Sequence, residues 1–272
     1  MRSLFFFFII SLLGFQGCST KQIDTPTPDV EQIDVTKTNT PSPDNISTPD
    51  TTEFEDEFED EVQTRTDPLK DYNELMTSFN DSMITYALNP VSEAYAYVIP
   101  EPIRIGISNA FHNIQFPVRF ANNLLQGKFQ NVSDESERFI VNSTVGILGL
   151  MDPAKEYMNI PKHNEDFGQT LGFYGVGPGF HIVLPFLGPS NVRDLAGLSI
   201  DAYVSPLVNV RGVVNYKIPD NFAQSTAIAA WYFVNKNSLE LGQYESLKKD
   251  AIELYPFLRD IYEQKRVADI EE

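Results

Sequence analysis

Several helical stretches of this chain are apolar around much of their circumference, yet none is long enough to cross a membrane. Residues 103–111 and 139–151 are the clearest cases. Prolines at 90, 100, 102 and 117 cut the helical pattern into short pieces, because proline lacks the amide donor and crowds the preceding turn. A membrane-spanning helix needs ~20 consecutive apolar residues. Short segments of this kind either fill a globular core or lie within one leaflet of a bilayer. Periodicity alone favours the core.

The helical spacing begins at Asp67-Pro68, read as an N-cap followed by proline in the first turn. Tyr72, Leu75, Met76, Phe79, Met83, Ile84 and Ala87 then share one face, opposite Asn73, Glu74, Asn80 and Asp81. Pro90 is expected to end or bend this helix and to open the next. "PEPIRIGISNAFHNI" (100–114) and "PVRFANNLLQG" (117–127) continue the pattern, with Gly127 as a C-cap. Ser133 is expected to cap a helix through "DESERFIVNSTVGILGL". Helical spacing returns after residue 190 and again in C-terminal helices from about 220.

Between these parts lies "EDFGQTLGFYGVGPGFHIVLPFLGPSNVRD" (165–194). Six glycines fall between Gly168 and Gly188, and charge disappears from Phe167 to Val192 except for a titratable His181. Such a stretch combines a flexible backbone with an oily surface. The fold class expected is mainly α.

The termini differ. Arg2 and the apolar run "LFFFFIISLLGF" form a secretory signal over residues 1–17. Cys18, the only cysteine, follows at once and is expected to be lipidated, although the usual leucine three residues before it is replaced by Phe15. Residues 18–66 are rich in Pro, Thr and acids, with thirteen acids against three bases. That composition predicts a disordered tether, because it cannot offset chain entropy by burial. Residues 67–272 form one domain, also acidic. The charge argues against nucleic acid, which wants a basic face.

Little in the sequence points to bond-making chemistry. His112, His163 and His181 show no paired metal spacing, and no GxSxG elbow occurs. "GVGPG" (175–179) is not a dinucleotide fingerprint. His163 beside Glu165 and Asp166 is a base with an orienter or, more simply, a solvated loop. Neither a metal nor a cofactor is expected.

"DPLKDYNELMTSFND" (67–81), "VIPEPIRIGISNAFHNIQFPVRFANNLLQGKF" (98–129), "ERFIVNSTVGILGLMDPA" (137–154), the glycine-rich segment and "GLSIDAY" (197–203) occur in order. Together they resemble the MlaA (VacJ) lipoproteins of Gram-negative bacteria over roughly 67–207. The resemblance implies an all-helical, ring-shaped body in the outer membrane, mainly in its inner leaflet, with an amphipathic central channel. Phospholipids astray in the outer leaflet would enter that channel and pass to a soluble periplasmic carrier, which preserves lipid asymmetry. A trimeric porin is the implied membrane partner. The glycine-rich hairpin is implied to gate the channel, with Gly175 and Gly177 at its hinge. Phe79 matches an aromatic near the ring wall, or else packs in the core. Asn142, Ser143 and Thr144, on an otherwise oily helix, either line the channel or are buried against neighbouring backbone. The implied role is retrograde phospholipid transport, not enzymatic; a porin-binding scaffold and a membrane-anchored lipase are the alternatives.

Overall fold

The computed structural model describes residues 67–210, 212 and 216–272. The expected signal segment, Cys18 with its expected lipidation, and the acidic tether lie outside the described residues. The described chain is mainly helical. Helix α1 (Lys70–Met83) passes through a π-helical turn (Ile84–Leu88) directly into α2 (Asn89–Val98). Then come α3 (Glu101–Ile114), α4 (Phe116–Leu125), α5 (Phe129–Thr144), α6 (Pro153–Glu156) and α7 (Phe167–Phe173). Strands β1 (His181–Leu184) and β2 (Gly188–Asn191) form an antiparallel hairpin, with His181 opposite Asn191 and Leu184 opposite Gly188. Helices α8 (Val192–Val204), α9 (Phe222–Leu239), α10 (Gln243–Asp250) and α11 (Leu254–Glu271) complete the order.

Several boundaries differ from the sequence expectation for identifiable reasons. Pro90 does not stop the helical path, but it stands in the first turn of α2 and opens that helix as expected. The π-turn widens the backbone ahead of it, and the Asn89 amide reaches back to the Ile84 carbonyl, so the proline is absorbed without a break. Ser133 is no cap: α5 starts at Phe129, and the Ser133 hydroxyl donates to Glu137 instead. The same helix stops at Thr144, where residues 145–150 turn back on themselves. Ile147, Leu148 and Gly149 there are all left-handed, with φ of 53°, 58° and 89°.

The larger difference concerns which face is inside. Among the described residues, the buried apolar side chains apart from proline are Phe111, Val118, Ala154, Ile160, Val183 and Tyr255. Polar residues far outnumber them, with Asn73, Ser92, Asn123 and Glu135 wholly enclosed. Along α1 the asparagine face points in, whereas Leu75 is 63% exposed. Ile103, Ile105, Ile140, Val145 and Leu148 likewise face outward. The core expectation therefore fails for most of 139–151 and for Ile103 and Ile105, while Phe111 keeps its place inside. Amphipathic periodicity gives two faces but not which one is inside, and that depends on the solvent. So much apolar surface is costly in water, and hydrocarbon removes that cost.

Buried polar groups cost free energy unless paired, and here most are. Arg119 Nε donates to Glu135 Oε2 at 2.7 Å, while the His163 amide donates to Glu135 Oε1 at 2.9 Å. Arg138 Nη2 grips both oxygens of Asp152 at 2.7 Å, and Asn142 adds a third donor. Burial works to raise the Asp152 pKa, but these donors win and hold it down at about 2. Farther on, Arg266 of α11 bonds Asp166 and Asp194 with two hydrogen bonds each, and Tyr262 donates to Asp194 at 2.5 Å. Burial disfavours the Arg266 charge, yet the two carboxylates raise its pKa above the ordinary value. This clasp binds the last helix to α7 and α8. Those two helices touch because Gly197 meets Gly168: a Cβ on Gly197 would lie 2.4 Å from the Gly168 nitrogen.

The hairpin is bolted to α1 by two asparagines two turns apart. Asn73 Nδ2 donates to the His181 carbonyl at 3.1 Å, and its Oδ1 accepts from the Val183 amide at 2.8 Å. Asn80 repeats the pattern with the Leu184 carbonyl at 2.9 Å and the Phe186 amide at 2.8 Å. Each carboxamide acts as a surrogate peptide group and satisfies an edge that a lone hairpin would leave open.

Asn73→Leu leaves a buried carbonyl and a buried amide unpaired, at about 1–3 kcal/mol each. Denaturation of detergent-solubilised protein should show a loss of about 2–5 kcal/mol, with early proteolysis within 181–191. Because the folded pKa of Asp152 lies below the ordinary carboxylate value, its contribution is complete above about pH 4 and is lost as pH falls toward 2. Asp152→Asn should flatten that acid limb of the stability curve.

Candidate functional site

The π-turn, the hairpin tip and α9 enclose a cavity of about 650 Å³. Met83, Ile84 and Leu88 form one wall, Phe186, Leu187 and Pro189 a second, and Ala229, Ala230, Phe233 and Val234 a third. The route from sequence to site is direct. Pro90 requires a widened turn, the turn carries Ile84 and Leu88 to the cavity, and alanines on α9 leave the space open. The volume lies within the ~300–1,000 Å³ of small-molecule pockets.

The polar groups on this cavity are largely committed elsewhere. The Asn80 carboxamide is used by the hairpin. The Tyr244 hydroxyl donates to Asp81 at 3.0 Å, and burial, helped by the Asp81 charge, raises its pKa well above the ordinary tyrosine value. What remains is an apolar surface, suited to a hydrocarbon chain rather than to a charged headgroup.

Phe79, expected near a channel wall or in the core, is 40% exposed and meets Phe186 edge-on, ring centroids 5.4 Å apart. It links α1 to the hairpin tip. The sequence had placed Asn73 and Asn80 on the face opposite Phe79 without assigning them a partner. No local pattern distinguishes an asparagine that binds a distant strand from one that binds water.

The six glycines divide by role. Gly168 and Gly172 lie in α7 and permit close packing against Asp194, Arg193 and Ile270. Gly175, Gly179 and Gly188 have φ of 81°, 70° and 85°, a region that disfavours side chains. Gly177 has neither a positive φ nor any atom within 4 Å of a Cβ placed there. Nothing in the static fold requires glycine at that position. Gly175 and Gly177 both precede the strands, in the exposed loop from α7 to β1.

Asn142, Ser143 and Thr144 do not line the cavity. Asn142 donates to Asp152 Oδ1 at 2.9 Å and accepts from the Ala154 amide at 3.1 Å. Ser143 accepts from Asn113 at 2.9 Å, and exposed Thr144 returns its hydroxyl to the Ile140 carbonyl at 2.7 Å. The His163 ring does not pair with the carboxylate of Glu165 or Asp166. Its Nε2 lies 3.0 Å from Asp134, Glu165 holds Lys128 and Gln126, and Asp166 caps α7. His181 is buried between the rings of Tyr255 and Tyr262, 3.5 Å from Glu263, and burial lowers its pKa.

Comparison with known proteins places the chain among its relatives. The intermembrane phospholipid transport system lipoprotein MlaA of Haemophilus influenzae is 35% identical over 149 residues, 54% of this chain and 60% of that protein. The Escherichia coli K12 protein of the same name is 36% identical over 146 residues, 52% and 57% of the two chains. The chain thus spans about three-fifths of the length of these two relatives. An uncharacterized protein of Rickettsia bellii matches over 206 residues at 28% identity, 75% of this chain and 77% of that one. A chain solved in work on the structural basis for maintenance of bacterial outer membrane lipid asymmetry superposes with a TM-score of 0.64 at 27% identity, covering 76% of this chain and all of that one. The family model described as MlaA lipoprotein matches residues 65–269, and the chain belongs to that family.

Proposed function

We propose that this protein is an outer-membrane lipoprotein that collects phospholipids astray in the outer leaflet and passes them to a soluble periplasmic carrier, breaking no bond. Cys18 bears the lipid anchor, and the helical body rests mainly in the periplasmic leaflet beside a trimeric porin. One observation carries this reading: polar side chains are turned inward and large apolar ones outward, as residence in hydrocarbon demands. The apolar cavity receives an acyl chain. Of the α5 trio, Thr144 is the exposed one, and its hydroxyl oxygen keeps acceptor capacity for a headgroup. Relatives named for intermembrane phospholipid transport support the assignment.

Gating follows from the way the hairpin is held. Lifting its tip breaks the two Asn80 hydrogen bonds and the Phe79–Phe186 contact. The base stays fixed to Asn73. At about 1 kcal/mol per hydrogen bond and ~1 kcal/mol for the ring pair, opening costs about 3 kcal/mol, so an open state is populated near 1%. The rotation for this tip motion falls between Val183 and Phe186, beyond the Asn73-held base, while Gly175 and Gly177 give freedom to the loop that leads into the hairpin.

Cells lacking the protein should accumulate phospholipid in the outer leaflet and become detergent-sensitive, and the purified protein should carry phospholipid detectable by mass spectrometry. Protein that captures porin yet carries and transfers no lipid would instead be a scaffold. Asn80→Ala should speed lipid transfer to a periplasmic carrier by loosening the tip. Gly175→Ala with Gly177→Ala should slow it, at a folding cost of about 1–2 kcal/mol from the left-handed site alone. Transfer rates identical to the parent in both variants would remove the hairpin from the mechanism.

A further inference from the structure

The turn that ends α5 is not explained by the cavity or by the hairpin. Residues 139–151 contain no charged side chain. Val145, Ile147, Leu148, Leu150 and Met151 all project outward, Val145 and Leu148 each 67% exposed. In an ordinary surface loop such residues would be unusual. Surface turns also tend to leave amide groups to water. Here the amides of Val145, Gly146, Leu148, Gly149, Leu150 and Met151 all donate to carbonyls between Val141 and Ile147.

That closure comes at the expense of backbone strain. Ile147 is β-branched and left-handed, and Leu148 follows it in the same region, where such residues are rare. Gly149 is needed because a Cβ there would lie 2.5 Å from Asn113 Cβ. At the neck, the charges of Arg138 and Asp152 neutralise each other at 2.7 Å. The turn is therefore an apolar tip in which six of the seven amides from Val145 to Met151 are satisfied internally and the flanking charges are paired. Satisfied peptide groups are what hydrocarbon imposes and water does not.

We propose that residues 145–151 are a wedge seated among lipid acyl chains, a protein-borne membrane anchor that acts independently of Cys18. The occupant of this surface is hydrocarbon rather than a protein partner. The tip offers no polar or charged side chain to a partner, and it continues the outward apolar faces of Ile103 and Ile140. By contrast, exposed Ile252 sits among Lys248, Lys249, Asp250 and Glu253 and marks a water-facing side. The proposal rests on membrane residence as read above, and the experiment separates the two.

Trp231 is the only tryptophan, so full-length Trp231→Phe protein supplies a dark background. Val145→Trp, Ile103→Trp and Ile252→Trp are placed in it singly and reconstituted in phosphatidylethanolamine–phosphatidylglycerol vesicles doped with mid-chain brominated lipid. Val145→Trp should be quenched at least about as strongly as Ile103→Trp, and Ile252→Trp hardly at all. Quenching at Ile103→Trp but not at Val145→Trp overturns the wedge while leaving membrane residence intact; no quenching at either overturns both. Leu148→Asn tests the energetics, because asparagine tolerates the left-handed backbone. It should fold normally in detergent, with unchanged circular dichroism. Its partitioning into vesicles, measured with Cys18→Ser protein, should fall about tenfold or more. Undiminished partitioning overturns the proposal, as does a photo-crosslinker at Val145 that captures protein rather than lipid in cells.

Discussion

The structure depends on pairing buried polar groups with one another. Away from water an isolated charge or amide costs several kcal/mol, and this interior is built largely from such groups. Glu135 is wholly enclosed yet receives both Arg119 and the His163 amide. Arg138 and Asp152 close a neighbouring pair, and Arg266 gathers two carboxylates from different helices. Hydrogen-bond geometry is directional where apolar packing is not. These networks therefore fix the angles at which short helices meet, in a molecule with few apolar core residues to do so.

The hairpin shows how that constraint shapes a single element. Its free edge is covered by two side chains from α1 instead of a third strand. Each asparagine secures one point, so the base and the tip are held separately. A third strand would hold base and tip through one continuous ladder; here they are held by separate residues. The cavity lies beneath the tip, and the π-turn ahead of Pro90 forms its opposite wall.

Much of the helix content was legible from the sequence, because apolar spacing at 3.6 residues depends only on local geometry. Proline at the start of α3 and Gly127 after α4 were read correctly for the same reason. The orientation of the faces was not legible. Leu75 and Asn73 occupy opposite sides of α1 whether the surroundings are water or lipid, and only tertiary structure shows Asn73 enclosed. The partners of Asn73, Asn80 and Asp194 were hidden because they lie about seventy to over a hundred residues away. The glycine-rich stretch looked uniform in sequence but divides into helix contacts, left-handed turns and the unconstrained Gly177. Glycine composition reports permissiveness, and the neighbours decide how it is used.

On the proposed reading as a lipid-anchored outer-membrane protein, the outward-facing isoleucines, leucines and aromatics have a further consequence for the life of the chain before it reaches its bilayer. A secreted polypeptide with this exterior would stick to its own kind if it crossed an aqueous compartment already folded. An escort that sheltered only an attached fatty tail would leave the body's own oily flank uncovered. Delivery must therefore either postpone closure of the helices until lipid is at hand or wrap the whole girdle. Overproduction without matching escort capacity should then fail as clumping in transit rather than as faulty folding at the destination.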